Sequence, residues 1–227
     1  QKHWEYNQVI PCFIQPNTSF YLKHPNKKRG GMSRRGIFIV IYGINNLGKT
    51  TQAKLLVERL RLAGRVAEYL KYPLYDLRPT GPLINDYLRH GNPYNFSPRE
   101  FQILNVQNRM QFQSDLQKIL ANGVDVVAED YTGTGIAWGV GAGVDKDLQL
   151  NLNSRLIDGD IQLLFDGERF SDGKEKGHRH EEDDDLIKRV RNTHLELAKQ
   201  FDWRVINANQ PIEVIKDEVW AIIQPIL

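Results

Sequence analysis

The stretch Gly43-Ile44-Asn45-Asn46-Leu47-Gly48-Lys49-Thr50 fits the pattern G-x-x-x-x-G-K-[ST] at every fixed position, and it constrains the fold more than any other part of the chain. It directly follows Ile37-Phe38-Ile39-Val40-Ile41-Tyr42, an apolar run of buried-strand length rich in β-branched and aromatic residues. After it, Ala53, Leu56, Val57 and Leu60 recur at helical spacing, which predicts a helix over about Lys49–Leu62. Glycine lets a loop between strand and helix bend around an anion and aim its N–H groups inward. The helix N-terminus adds partial positive charge at the same place. Gly43, Asn45, Asn46, Leu47, Gly48, Lys49, Thr50 and Thr51 are therefore the expected cradle for a triphosphate tail. In that chemistry Lys49 reaches the β- and γ-phosphates, Thr50 ligates Mg²⁺ through its hydroxyl and Thr51 assists at the α-phosphate. ATP and Mg²⁺ are the cofactors this implies.

Downstream, strands and helices alternate. Val66–Tyr72, Val124–Ala128, Ile161–Phe165 and Trp203–Ile206 read as four further strands. Pro79 and Pro82 are expected to precede a short helix ending near Leu88. Ser97-Pro98-Arg99-Glu100 combines a capping serine, a first-turn proline and an acid, and predicts a helix to Asn122 with Phe101, Leu104, Phe112, Leu116 and Ile119 as its core stripe. Further helices are expected over Asp183–Phe201 and from Pro211, the latter packing Val214, Ile215, Val219, Ile222 and Ile223. The fold class is α/β: a P-loop NTPase three-layer sandwich, with a five-stranded parallel sheet flanked by helices. Ligands of such sheets gather beyond the carboxyl ends of the strands.

Size and charge narrow the reading. A chain of 227 residues supports one sizeable α/β core. Cys12 is its single cysteine, which rules out an internal disulfide and suits a reducing cytoplasm. No apolar run approaches the roughly 18 residues that span a bilayer. The net charge of +2 is uneven: residues 1–35 hold seven basic groups against Glu5 alone. Residues 1–31 are expected to be a flexible basic extension, with Met32 opening a kinase domain over 32–227. Neither a membrane nor a nucleic-acid partner is expected.

From Gly48-Lys49-Thr50-Thr51-Gln52-Ala53-Lys54 onward the chain resembles the thymidylate kinase family. Glu129-Asp130-Tyr131-Thr132-Gly133-Thr134-Gly135-Ile136-Ala137-Trp138 resembles that family's segment of acid, arginine, aromatic, two variable residues, Ser-Gly, one variable residue, alanine and aromatic. Asn108-Arg109 is similar to the family's pair in the middle helix, where the arginine often reaches the bound nucleotide's phosphate. Lys71-Tyr72-Pro73 resembles the Arg-Phe-Pro stretch that opens the substrate loop. The likeness covers about Gly36–Leu227 and implies phosphoryl transfer from ATP to a nucleoside monophosphate, dTMP to dTDP first. It also implies a homodimer. Three positions depart from the pattern. Asn45 stands where the family usually has an aspartate, Asp130 where it has a monophosphate-binding arginine, and Asn105 where a base-stacking phenylalanine is common. Arg78 or Arg109 is the expected source of the missing positive charge.

On this reading Lys49 grips the donor, and Thr50 and Glu129 manage the metal. Arg109 orients the acceptor, and Asn45, Tyr72, Pro73, Arg78, Asn105, Asp130, Tyr131, Gly135 and Trp138 complete its pocket. Arg169 and Arg179 come from a lid-like segment at about 166–185. The five glycines between Gly133 and Gly143 suggest a stretch that is mobile or approaches a ligand closely. Tyr131 and Trp138 are placed either to stack on a base or to pack in the core. His178, His180 and Glu181 are a weak metal pattern. Two alternatives stay open: a kinase for another nucleotide or nucleoside, and a nucleotide-binding protein without transfer activity.

Overall fold

The computed structural model describes residues 34–170 and 183–227, so the N-terminal extension, Met32, Arg179 and the His178–Glu181 cluster lie outside the described residues. Five parallel strands form one sheet: β1 (Phe38–Tyr42), β2 (Ala67–Lys71), β3 (Asp125–Glu129), β4 (Ile161–Asp166) and β5 (Arg204–Asn207), in spatial order β2-β3-β1-β4-β5. Every residue of β1 and β3 is buried, as a strand covered on both faces requires. Among the described residues seven α-helices lie between and after them: α1 (Lys49–Leu62), α2 (Thr80–Arg89), α3 (Pro98–Ala121), α4 (Thr132–Gly141), α5 (Lys146–Asn153), α6 (Asp184–Gln200) and α7 (Ile212–Ile223). Among the described residues no helix is long and apolar enough to cross a membrane.

The predicted faces are largely the observed ones. Ala53, Leu56, Val57 and Leu60 are all buried under α1. Ser97 caps α3 by accepting from the Glu100 N–H while the Glu100 carboxylate accepts from the Ser97 N–H, a reciprocal cap that fixes where this long helix starts. Two expectations need correcting. Pro82 sits inside the first turn of α2, where its missing N–H breaks no bond, instead of preceding the helix. On α7, Val214 is exposed, and Ile215, Val219 and Ile223 supply the buried face.

The glycine-rich stretch after β3 is the larger correction. It forms helix α4, almost wholly buried, and its glycines serve close packing. A side-chain carbon added at Gly133 would meet the Trp203 ring at 2.4 Å, and one at Gly141 would meet Val190 at 2.6 Å. Glycine density here brings a helix close to its neighbours, which local propensity alone does not reveal.

Candidate functional site

The strand register brings the chemistry to one edge of the sheet. Glu129 ends β3 opposite Ile41 of β1 and Lys71 of β2, so the loop after β1 and the ends of β2 and β3 meet there. Gly43 begins the loop with φ of 141°, and a side-chain carbon on it would lie 2.5 Å from the Phe165 carbonyl oxygen. Gly48 caps α1 at φ of 72°. Both are backbone states that favour glycine. From the helix start, Lys49 is 4% exposed and donates to the loop's own Ile44 carbonyl at 2.7 Å.

Beyond this edge lies a cavity of about 450 Å³. Asn45, Asn46, Leu47, Gly48, Lys49 and Thr50 form one end of it. Glu129 and Asp130 lie beside them, and Tyr72, Pro73, Asn105, Arg109, Gly135 and Trp138 line the rest. Most of the sequence-predicted site thus converges on one cavity. Gly43 and Thr51 do not line it; Gly43 shapes the turn, and Thr51 is exposed on α1.

Glu129 is the hub. Its carboxylate accepts from the Thr50 hydroxyl at 2.8 and 3.0 Å, from the Tyr69 hydroxyl at 2.7 Å and from Lys71 Nζ at 2.9 Å. Burial pushes its pKa up, but the Lys49 and Lys71 charges and the bonds from Tyr69 and Lys71 outweigh it and hold the group below the usual carboxylate range. Asp130 behaves oppositely. Burial, with the neighbouring Glu129 charge, raises its pKa despite Lys49. Its backbone takes φ of 64°, a conformation uncommon outside glycine, asparagine and aspartate, and its carboxylate lies 3.6 Å from Lys49 Nζ. The departure at Asp130 therefore reaches Lys49 of the glycine-rich loop.

Arg109 is 3% exposed, and its Nε and Nη1 are buried with no hydrogen-bond partner among the described residues. The surface salt bridge that sequence also allowed is absent. Burial lowers its pKa, opposed by Tyr131, Tyr72, Tyr42 and Asp130, yet a guanidinium stays protonated in proteins. A permanent buried cation with idle donors is costly unless a ligand completes it. Gly135 makes room for it: a carbon added there would lie 2.7 Å from both terminal nitrogens. One residue earlier on α3, Asn108 accepts from the Leu74 N–H at 2.8 Å and donates to the Leu74 carbonyl at 3.0 Å, tying the loop after β2 to the helix.

Three expected residues fall elsewhere. Tyr131 is fully buried against Phe38 and Tyr72, with ring centroids 5.2 and 5.0 Å away, and packs the core instead of lining the cavity. Arg78 is exposed and away from the cavity, so it does not supply the missing charge. Arg169 does not line the cavity either, and its guanidinium lies 3.8 Å from Asp184. The lid-like segment cannot begin at Asp166, which ends β4 and holds Arg191 in a two-pronged bond at 2.6 and 2.9 Å. Sequence reasoning missed Phe170, which lines the cavity and donates its N–H to the Asn46 carbonyl at 2.9 Å. It also missed Gln102, one turn before Asn105, whose helical spacing was the available signal.

The thymidylate kinase family pattern matches residues 41–219. The chain belongs to the thymidylate kinase family. Members of this family are nucleoside monophosphate kinases, and the expected activity, ATP-dependent conversion of dTMP to dTDP, is the one the family carries out. A thymidylate kinase of Dictyostelium discoideum is 27% identical over 88% of this chain and 90% of that protein. A putative thymidylate kinase of Invertebrate iridescent virus 6 is 29% identical over 85% of this chain and 90% of its own length. Among solved structures, the thymidylate kinase from Candida albicans superposes with a TM-score of 0.71 at 25% identity, covering 84% of this chain and 92% of that one. The α/β fold with its five parallel strands agrees with that structure.

Proposed function

We propose that the cavity holds both reactants of the family's reaction, the ATP phosphates at the loop end and dTMP at the α3 end. The observation that carries this is the buried Arg109 guanidinium, idle at Nε and Nη1, in the same cavity as Lys49. A dianionic acceptor phosphate or a base carbonyl supplies what that cation lacks. Lys49 leaves the Ile44 carbonyl to meet the donor's β- and γ-phosphates, and the loop's N–H groups hold the tail in line. Lys71, held by Glu129 beside the loop, adds a second positive charge along the path.

The residues fit Mg²⁺. The Thr50 hydroxyl and Glu129 carboxylate are hard oxygen donors within 3.0 Å of each other. Mg²⁺ is commonly bound by one or two protein oxygens, with phosphates and water completing its shell. When bound, the ion neutralises charge on the phosphate oxygens. A homodimer, implied by the family, and a cytoplasmic location, which the single cysteine suits, belong to the same proposal.

A second reading, nucleotide binding without transfer, draws on Asp130 lying 3.6 Å from Lys49. Coupled ADP release separates the two. Mg²⁺- and dTMP-dependent turnover supports the kinase reading, and ATP binding without turnover across a nucleotide panel contradicts it.

A further inference from the structure

Thr50, Lys71 and Tyr69 all donate to the Glu129 carboxylate, and they differ in what a ligand does to them. Thr50 and Lys71 line the cavity; Tyr69 does not. The Lys71 side chain is 47% exposed, so an incoming phosphate competes with Glu129 for its charge. The Thr50 hydroxyl has one proton to share between both carboxylate oxygens, at 2.8 and 3.0 Å. On the Mg²⁺ reading its oxygen also turns to the ion. The Tyr69 hydroxyl meets Oε2 at 2.7 Å, the shortest of these contacts, and stands behind the carboxylate where no reactant reaches it.

The strand geometry explains how a residue outside the cavity reaches this group. Tyr69 and Lys71 are two apart on β2, so their side chains leave the same face of the sheet. Lys71 pairs with Glu129 and Tyr69 with Val127, so the tyrosine must reach two residues along the neighbouring strand. That span is about 6.6 Å, which a tyrosine side chain covers. Lys54 Nζ lies over the Tyr69 ring, 5.9 Å from its centroid. Lys54 is one turn beyond Thr50 on α1, so the ring is held between the helix that carries Thr50 and the strand that carries Lys71. A phenol keeps its proton at neutral pH, so the hydroxyl is a standing donor.

Resting on the Mg²⁺ reading above, we infer that Tyr69 is a positioning residue whose hydroxyl holds the Glu129 carboxylate ready for the ion while Lys71 is released to the phosphates. Tyr69 touches neither reactant and acts only through Glu129. Groups behind a metal-managing side chain fix its orientation, and losing one commonly costs about 10- to 100-fold in metal affinity or activity. Glu129 is 2% exposed, so an oxygen that loses this donor gains little from solvent in return.

Tyr69→Phe tests this, because it removes one oxygen and keeps the half-buried ring. The readout is calorimetric binding of ATP to the full-length chain, once with Mg²⁺ and once with EDTA; the ratio isolates the ion's contribution without any turnover. Tyr69→Phe is expected to weaken ATP about 10-fold with Mg²⁺ and to leave ATP in EDTA, and dTMP, unchanged. In coupled ADP release kcat falls about 10-fold while KM for dTMP stays put. In a Glu129→Gln background the same substitution adds almost nothing, as expected of a residue that works through its partner. An unchanged Mg²⁺-to-EDTA ratio in Tyr69→Phe overturns the assignment and spares the metal reading. So does a loss of equal size in EDTA, or one that persists in the Glu129→Gln background, since either is ordinary structural damage. A wild-type chain that binds ATP equally with Mg²⁺ and with EDTA removes the metal reading and this inference together.

Discussion

The two ends of the cavity are built differently. At the loop end every charged group is already engaged: Lys49 by the Ile44 carbonyl and Asp130, and Glu129 by Thr50, Tyr69 and Lys71. At the α3 end Arg109 is held in place but left incomplete, with Nε and Nη1 unpartnered among the described residues. On the proposed assignment ATP exchanges existing bonds for new ones, while the acceptor meets donors that nothing has to vacate. The contrast teaches where each end spends its interactions. Changes at the loop end are expected in turnover and ATP affinity, and changes at the α3 end in acceptor affinity.

That division can be broken by substitution. The largest effect is expected for Lys49→Ala, which removes the charge that meets the transferring phosphate and lowers kcat by about 1,000-fold in coupled ADP release. Glu129→Gln, which weakens the hub that Thr50, Tyr69 and Lys71 share, lowers kcat by about 100-fold with little change in KM for dTMP. Arg109→Met keeps the volume and removes the buried charge; KM for dTMP rises about 100-fold while KM for ATP stays put. A KM effect on ATP instead would break the comparison. Gly135→Ala sharpens it without removing a polar group. The added carbon has only 2.7 Å to the Arg109 nitrogens, so the guanidinium must shift, and KM for dTMP rises about 10-fold.

The smallest effect is on stability and lies outside the cavity. His194 is fully buried, bonded at Nδ1 to the Val190 carbonyl with Nε2 unpartnered among the described residues, and burial pushes its pKa down to about 3. The depressed folded value means the unfolded chain binds the proton first. Stability is therefore full above pH 6.5 and falls as pH drops toward 3, at up to about 1.4 kcal/mol per pH unit from this group. His194→Gln should flatten that slope in denaturant melts between pH 6.5 and 4.5; an unchanged slope would remove His194 as its source.

The same contrast governs what sequence alone makes legible. The loop end is contiguous, one motif between one strand and one helix, and its residues follow from backbone needs that glycine and lysine answer locally. Glu129 was legible because strand ends in a parallel sheet share one edge. The α3 end is assembled from α2, α3, α4 and the loop after β2, so only spacing along α3 hinted at Gln102, and nothing local distinguished Tyr131 from Trp138. Their difference is tertiary: Tyr131 turns between Phe38 and Tyr72, while Trp138 reaches the cavity wall. The glycines of α4 misled for the same reason, because the Trp203, Val190 and Arg109 groups that require them come from distant parts of the chain.

Calorimetric titration of ATP and dTMP into wild type, Lys49→Ala and Arg109→Met tests the shared cavity most directly. The account predicts crossed losses: Lys49→Ala weakens ATP at least about 30-fold and spares dTMP, and Arg109→Met does the converse. Unchanged ATP affinity in Lys49→Ala, or unchanged dTMP affinity in Arg109→Met, would contradict it.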